Sequence, residues 1–478
     1  MKTNTFRSGI IIFLLAFNIS CSDWLDIAPK GENVDQTVVM NTESAFRNAV
    51  NGIYTELRDK SLYGSNMNLG AIEFMGQSFV TTGSFEAGVF AEFDYASPYA
   101  KKVTREIWAG MYKTIYNTNN LLQLFEDKKD VKFVTGSKEC MTGELHGLRA
   151  MMHFDLLRLF HPSYAASQSY KGIAYMDRTN SQPVPMTSGE IMERIIDDLN
   201  KAEELLTGND PFRTGINIDT ESTLFGMDVK SRPWKLNYYA LLALKARVYM
   251  YKGDLTNAAR YAEQILEEVH NPAQPVASVW NTPDAKDKAF STEHLFGLAS
   301  SQNYGIREQS EVVFTQNAIP ANQRIMNWFQ LGENITDIRK SSWFTGSNMK
   351  VKFGTNSWVC DGNVAIVSQR IPMFKISEIY LIASEALANT NFPQAKSYLA
   401  YYKLKRTGQD IANTITTPQV MLKMIDNEYK IDFLGEGQLF FYFKRKNEPV
   451  IDSYIYESTV NMDDSKYTFP IPQGGLNE

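Results

Sequence analysis

The chain has 478 residues, a formal net charge of −6, 44% hydrophobic and 12% aromatic content. That is material for one large domain, or two or three average ones, with a sizeable core, and the acidic balance excludes the basic stripe of a nucleic-acid binder. Three cysteines, Cys21, Cys140 and Cys360, exclude a disulfide framework, and the last two read as buried apolar fillers.

The chain opens MKTNTFRSGIIIFLLAFNISCSDWLDIAPK. Lys2 and Arg7 supply positive charge, Ile10 to Phe17 are apolar, and Ser20 is small. This order describes an export signal, and the apolar run is shorter than the roughly 20 residues a spanning helix needs. Cys21, directly after it, looks like the acylated cysteine of a bacterial lipoprotein, which predicts a signal over 1–20 and a lipidated tether over 21–42. The plainer alternative is an ordinary secretory signal with an incidental cysteine.

From Glu43 the pattern turns helical, with Phe46, Val50, Ile53 and Leu57 on one face. Residues 61–99 break it with Gly, Ser and aromatics, and a connection of that length is often functional. Helix returns in VTREIWAGMYKTIYNTNNLLQLFED, with Ile107, Met111, Ile115, Asn119 and Leu122 in one stripe. GELHGLRAMMHFDLLRLF, 143–160, is a further helix, closed by Pro162. Thr187 and Glu190 have capping-box spacing, and the helix they open carries Ile191, Ile195, Leu199 and Leu206 on one face. Residues 207–232 read as loop, and 234–269 as two helices joined at Gly253-Asp254.

A second such pair occupies 375–406. At a constant offset, Ala246 meets Ala383, Leu255 meets Phe392, Ala258 meets Ala395 and Tyr261 meets Tyr398. Small residues stand where two helices must approach, and a bulky apolar residue starts each second helix, as in a tetratricopeptide unit of about 34 residues. The pairs at 43–127 and 139–206 are candidates for further units; ordinary helical hairpins are the alternative. The fold class expected is therefore mostly α, a helical-repeat scaffold with long irregular insertions. Residues 271–374 form the largest of these, with Trp280, Tyr304, Trp328, Trp343, Phe344 and Trp358 among Gly, Asn and Ser, and a short hairpin in VKFGTNSWVC.

Catalytic constellations are hard to find. There is no Gly-rich phosphate loop and no nucleophile elbow. His146 and His153, with Asp155 nearby, have the spacing to invite a metal, but packing is the favoured reading, and no metal or cofactor is expected. The adjacent pairs Glu203-Glu204 and Glu267-Glu268 read as solvent-facing, and EDKKD, 126–130, as a solvated helix end. A glycosidase needs two carboxylates facing each other across a cleft, about 5–10 Å apart, and nothing in the pattern points to one.

Taken together, the pieces resemble the SusD/RagB family of outer-membrane lipoproteins of the Bacteroidetes. The resemblance is carried by CSDWLDIAP, GELHGLRAMMHFDLLRLF, IIDDLNKAEELL, the two helical pairs, NEYKIDFLGEGQLFFYFKRKNEP and the closing YTFPIPQGGLNE. The chain departs from it at Asn427-Glu428-Tyr429, without the usual Arg after the Glu, and at Phe440 to Phe443. The resemblance implies one SusD-like domain over 43–478, with four tetratricopeptide-like units and long loops opposite them. It also implies a non-enzymatic, lipid-anchored, cell-surface protein that captures an oligomeric nutrient, most often a glycan, and passes it to a SusC-like TonB-dependent β-barrel transporter. A RagB-type oligopeptide importer, a surface glycoside hydrolase and a pure assembly scaffold are the alternatives.

Flat aromatics cover the C–H face of a sugar ring and bury large area with few rotatable bonds. The resemblance places the ligand on the early loop and the later insert, here 61–99 and 271–374. The expected ligand-stacking residues are Trp343, Trp358, Trp280 and Tyr304, then Phe85 and Tyr95.

Overall fold

The computed structural model describes residues 40–78, 86–180, 182–219, 226–270, 289–299, 329, 337–345, 348–349, 370–453 and 458–475. Cys21, Phe85, Trp280, Tyr304, Trp358 and Cys360 lie outside them, as do the expected signal, most of the tether and the VKFGTNSWVC hairpin. In chain order the first helices are α1 (Glu43–Leu57), α2 (Ala71–Met75), α3 (Gly88–Ala91), α4 (Pro98–Asp127), α5 (Ser137–Phe160), α6 (Ser188–Leu206) and α7 (Pro211–Thr214). After them come α8 (Tyr238–Lys252), α9 (Leu255–His270), strand β1 (His294–Ala299), α10 (Ile338–Trp343), β2 (Phe344–Thr345) and β3 (Asn348–Met349). The chain closes with β4 (Arg370–Lys375), α11 (Ile376–Leu387), α12 (Phe392–Thr407), α13 (Pro418–Asp432), α14 (Leu439–Lys446), β5 (Val450–Ser453), β6 (Ser458–Asn461) and α15 (Asp464–Tyr467). The fold is mostly helical. No helix among the described residues is long and apolar enough to cross a membrane.

The helices pack largely on their neighbours in order. α5 lies on α6, α6 on α8, α8 on α9, α9 on α11, and α11 on α12 and α13. This is the near-one-dimensional stacking of repeat architectures. Ala246, Ala258, Ala383 and Ala395 are all fully buried where the paired helices meet. Leu255 departs from the repeat expectation: it starts α9 but is 42% exposed. α5 is buried on nearly every face, including Glu144, Arg149 and Asp155, as a helix at the centre of a core must be. Its Gly147 allows the closest approach: a Cβ there would stand 2.2 Å from a methyl of Leu236.

Local chemistry explains the helix ends. The expected capping box forms, with Glu190 N–H donating to Thr187 Oγ1 at 3.1 Å and Thr187 N–H to Glu190 Oε2 at 2.8 Å. The expected loop over 207–232 instead contains α7, because Asp210 caps it through Phe212 N–H at 2.7 Å and Pro211 fits its first position. The carbonyl end of α5 is met by Lys444, whose Nζ donates to the carbonyls of Arg158, at 2.5 Å, and His161, at 2.6 Å.

Two regions expected as loose loops are built into the core. Residues 62–64 and 66–78 of the early loop are buried. Glu73, on α2, accepts N–H groups from Gly435, at 2.9 Å, and Gly437, at 2.7 Å, so the GEG turn of the C-terminal segment clamps the early loop. At the edges of the later insert, β1 pairs antiparallel with β4, Leu298 opposite Ile371 and Ala299 opposite Arg370. The insert thus leaves and rejoins the scaffold at one place.

Candidate ligand-binding cleft

A recess among the described residues, an open cleft of about 390 Å³, lies beside α4. Two smaller voids, of about 40 Å³ and 10 Å³, are both lined in part by Arg158 and Arg247 and are too small for a sugar ring. The cleft is lined by a row of aromatics on α4, Trp108, Tyr112 and Tyr116, by Met176 and Arg178 from the segment after α5, and by Pro472 and Gly475 from the C-terminal segment. Residues four apart lie on one face of a helix, rising about 6 Å per step, so the row is about 12 Å long.

The row is graded. Trp108 forms the floor: it is 4% exposed, stands edge-to-face on Phe160 at 4.7 Å, and donates through Nε1 to Gly475 O at 3.0 Å. Tyr112 is the wall; its hydroxyl donates to Ala174 O at 3.0 Å and accepts Ala174 N–H at 3.1 Å. Burial pushes that hydroxyl well above the ordinary phenol range, so it stays protonated. Tyr116 is the rim, 53% exposed.

The segment 173–177 that faces this row is held almost entirely by side chains. His161 Nε2 accepts Ile173 N–H at 2.9 Å, and His153 Nε2 accepts Met176 N–H at 3.0 Å. Asn119 donates to Met176 O at 2.9 Å, and Arg149 to Asp177 O at 3.0 Å. Arg149 in turn grips Asp198 at 2.7 and 2.6 Å, and Asp198 also takes His146 Nδ1 at 3.0 Å and the Tyr175 hydroxyl. Burial opposes ionisation of Asp198, but its bonds to Arg149 and His146 prevail and hold the carboxyl well below the usual range. Both expected packing histidines are thus accounted for: His146 serves Asp198, and His153 serves the backbone of the cleft wall. The support is of the kind a binding site needs, a first layer locked by a second.

Several expectations about site residues are corrected here. Trp343 was expected to stack on ligand; it is 1% exposed and packs on Phe290 at 5.5 Å, because it closes α10 facing the core. Tyr95 is half-buried, edge-to-face with Phe469 at 5.1 Å, and its hydroxyl donates to Lys466 O at 2.5 Å, so it anchors the C-terminal segment. The glutamate pairs divide: Glu204 and Glu267 face solvent, whereas Glu203 turns to Lys245 and Glu268 to Arg213, at 3.2 Å. The row Trp108, Tyr112, Tyr116 was missed, although its spacing of four, one position beyond the apolar stripe of α4, was the signal that would have found it.

Residues 23–213 match the SusD-like family model described as "Starch-binding associating with outer membrane". A SusD-like protein of Bacteroides ovatus is 21% identical over 406 residues, covering 83% of this chain; the chain spans 61% of that relative's length. The fold is similar to a SusD superfamily protein of Bacteroides fragilis, with a TM-score of 0.69 and 18% identity over 92% of this chain and 98% of that one. It is also similar to a SusD-like carbohydrate binding protein of Bacteroides vulgatus, with a TM-score of 0.66 and 17% identity over 90% and 95% of the two chains. The helical stack, the buried GELHGLRA helix and these likenesses agree: residues 23–213 match the SusD-like family model, and the fold is that of the solved SusD superfamily structures.

Proposed function

We propose that this protein binds an oligosaccharide in the cleft beside α4 and delivers it to a SusC-like TonB-dependent barrel in the outer membrane, held there by lipid on Cys21. The observation that carries the binding reading is the aromatic row with its exposed end, Tyr116. A sugar ring laid on such a row covers its apolar face, while the polar groups at the edge take its hydroxyls. The matching family model, described as starch-binding, and the similar carbohydrate binding protein of Bacteroides vulgatus support the same ligand class. The described lining holds three cations and no carboxylate, whereas glycoside hydrolysis needs two facing carboxylates. Trp280, Tyr304, Trp358 and Phe85 belong to the proposal as further stacking residues from outside the described segments.

The test is a titration of the chain lacking residues 1–21 with oligosaccharide and oligopeptide panels, followed by calorimetry and tryptophan fluorescence. Saturable saccharide binding that weakens about tenfold in Tyr116→Ala, with the helical content intact, is the expected result. Binding of peptides alone moves the protein to the oligopeptide-import reading.

A further inference from the structure

We propose that the saccharide this cleft selects is acidic, its rings bearing carboxylate or sulfate groups. The inference rests on the reading of the cleft as a saccharide site and narrows it. Arg105, Lys113 and Arg178 all line the cleft and are all exposed. Among the described residues none of the three has an ion pair or a hydrogen bond, and the described lining contains no Asp or Glu.

This contrasts with eight buried or half-buried arginines of the scaffold. Arg149, Arg158, Arg213, Arg232, Arg247, Arg339, Arg406 and Arg445 each pair with a carboxylate. The residues three and four positions from Arg105 are Lys101, Lys102, Trp108 and Ala109; those from Lys113 are Ala109, Gly110, Tyr116 and Asn117. None is acidic, so neither cation has the helical partner that would make it part of a solvated ion-pair face. Asp177, beside Arg178, is taken by Arg194. In a chain whose net charge is −6, three uncompensated cations around one aromatic row are a local reversal of sign.

The geometry fits an acidic saccharide. Arg105 and Lys113 are eight residues apart on α4, about 12 Å, the same span as Trp108 to Tyr116. Along the axis Arg105 stands about 4.5 Å before Trp108 and Lys113 about 1.5 Å past Tyr112, so the two cations bracket the inner part of the row, and Lys113 and Arg178 are the cations for its outer part. Stacking presents a sugar's ring face to Tyr116, and its edge substituents point sideways, where an arginine fork meets a carboxylate or sulfate with paired charge-assisted hydrogen bonds.

The experiment compares oligogalacturonides, their fully methyl-esterified forms, a sulfated glycosaminoglycan fragment and an oligoglutamate of matched charge, each titrated into the chain lacking residues 1–21. The expected result is that an acidic saccharide binds at least tenfold tighter than the uncharged ester, and that the preference weakens as salt rises from about 50 to 500 mM. In the double variant Arg105→Gln, Arg178→Gln the acid–ester difference collapses. Preference for the uronate over the sulfated chain, or the reverse, identifies which anion is read. Equal binding of acid and ester, with loss in Tyr116→Ala, overturns the charge inference and leaves the saccharide site standing. Oligoglutamate binding as tightly as the saccharides overturns the saccharide class itself, and binding of no saccharide overturns both.

Discussion

At the scale of single residues, the cleft depends on groups that never touch its surface. Asp198 is 7% exposed and gathers Arg149, His146 and Tyr175. Arg149 also holds Asn119 at 2.7 Å and the Asp177 carbonyl, and Asn119 holds Met176. Removing one member of a buried ion pair leaves the other charge uncompensated, at a cost of about 3–5 kcal/mol. Asp198→Asn should therefore lower the unfolding free energy by about 3 kcal/mol in urea titrations, and it should weaken saccharide binding although position 198 lies outside the cleft. A variant with native stability would show that Arg149 finds its compensation elsewhere. Part of this hub was legible: Arg149 and Asp198 both stand in segments that carry the family resemblance. Tyr175 and Asn119 were not, because nothing in sequence spacing joins residues from three separate elements.

At the scale of elements, the helices were readable and the connections were not. Period-3.6 apolar patterns and caps sit within one segment, so α1, α4, α5, α6, α8, α9, α11 and α12 follow from local signals. The segment 173–177 has no periodicity at all; its backbone is satisfied mainly by side chains of α4, α5 and His161, with one backbone bond from Met186 N–H, a long-range fact. Aromatic richness was likewise ambiguous: it marked Trp343 and Tyr95 as ligand platforms, and both point into the fold. The early loop makes the same point from the packing side. Gly437 has a φ of +66°, and a Cβ there would stand 2.7 Å from Met67 O and 2.9 Å from Asn68 Cα. The strain of a side chain at positive φ and the backbone overlap add, so Gly437→Ala should cost about 2–4 kcal/mol. It should also expose residues 62–78 to limited proteolysis, because the clamp on Glu73 opens. Unchanged stability and cleavage pattern would show that the turn relaxes without loss.

At the scale of the whole molecule, the two histidines that hold the cleft wall tie folding to pH. Burial disfavours their charged rings, and the charges of Arg149 beside His153 and Lys444 near His161 act the same way; both pKa values are pushed down to about 3. In each ring Nε2 accepts a backbone N–H, and Nδ1–H faces Arg149 O at 2.9 Å in His153 and Ser188 Oγ at 2.8 Å in His161. A second proton would turn an acceptor into a donor facing a donor. The unfolded chain titrates near 6.5, so as pH falls it takes up protons that the folded protein refuses. Stability from these two groups is complete above about pH 6.5 and is lost as pH falls from there toward about 3. Each contributes about 1.4 kcal/mol per pH unit once below its unfolded pKa, hence about 2.7 together. Glu428 follows at lower pH: burial opposes its ionisation, but Lys403 and Arg339 outweigh it and hold the carboxyl down at about 2, so its contribution fades only below about 4.5. Urea unfolding between pH 7 and 5 should thus fall steeply before any carboxylate titrates, and His161→Gln should halve the slope. A flat profile over that range would mean that both rings take up their second proton in the folded protein as readily as in the unfolded chain, and that the wall of the cleft is held by some other set of bonds.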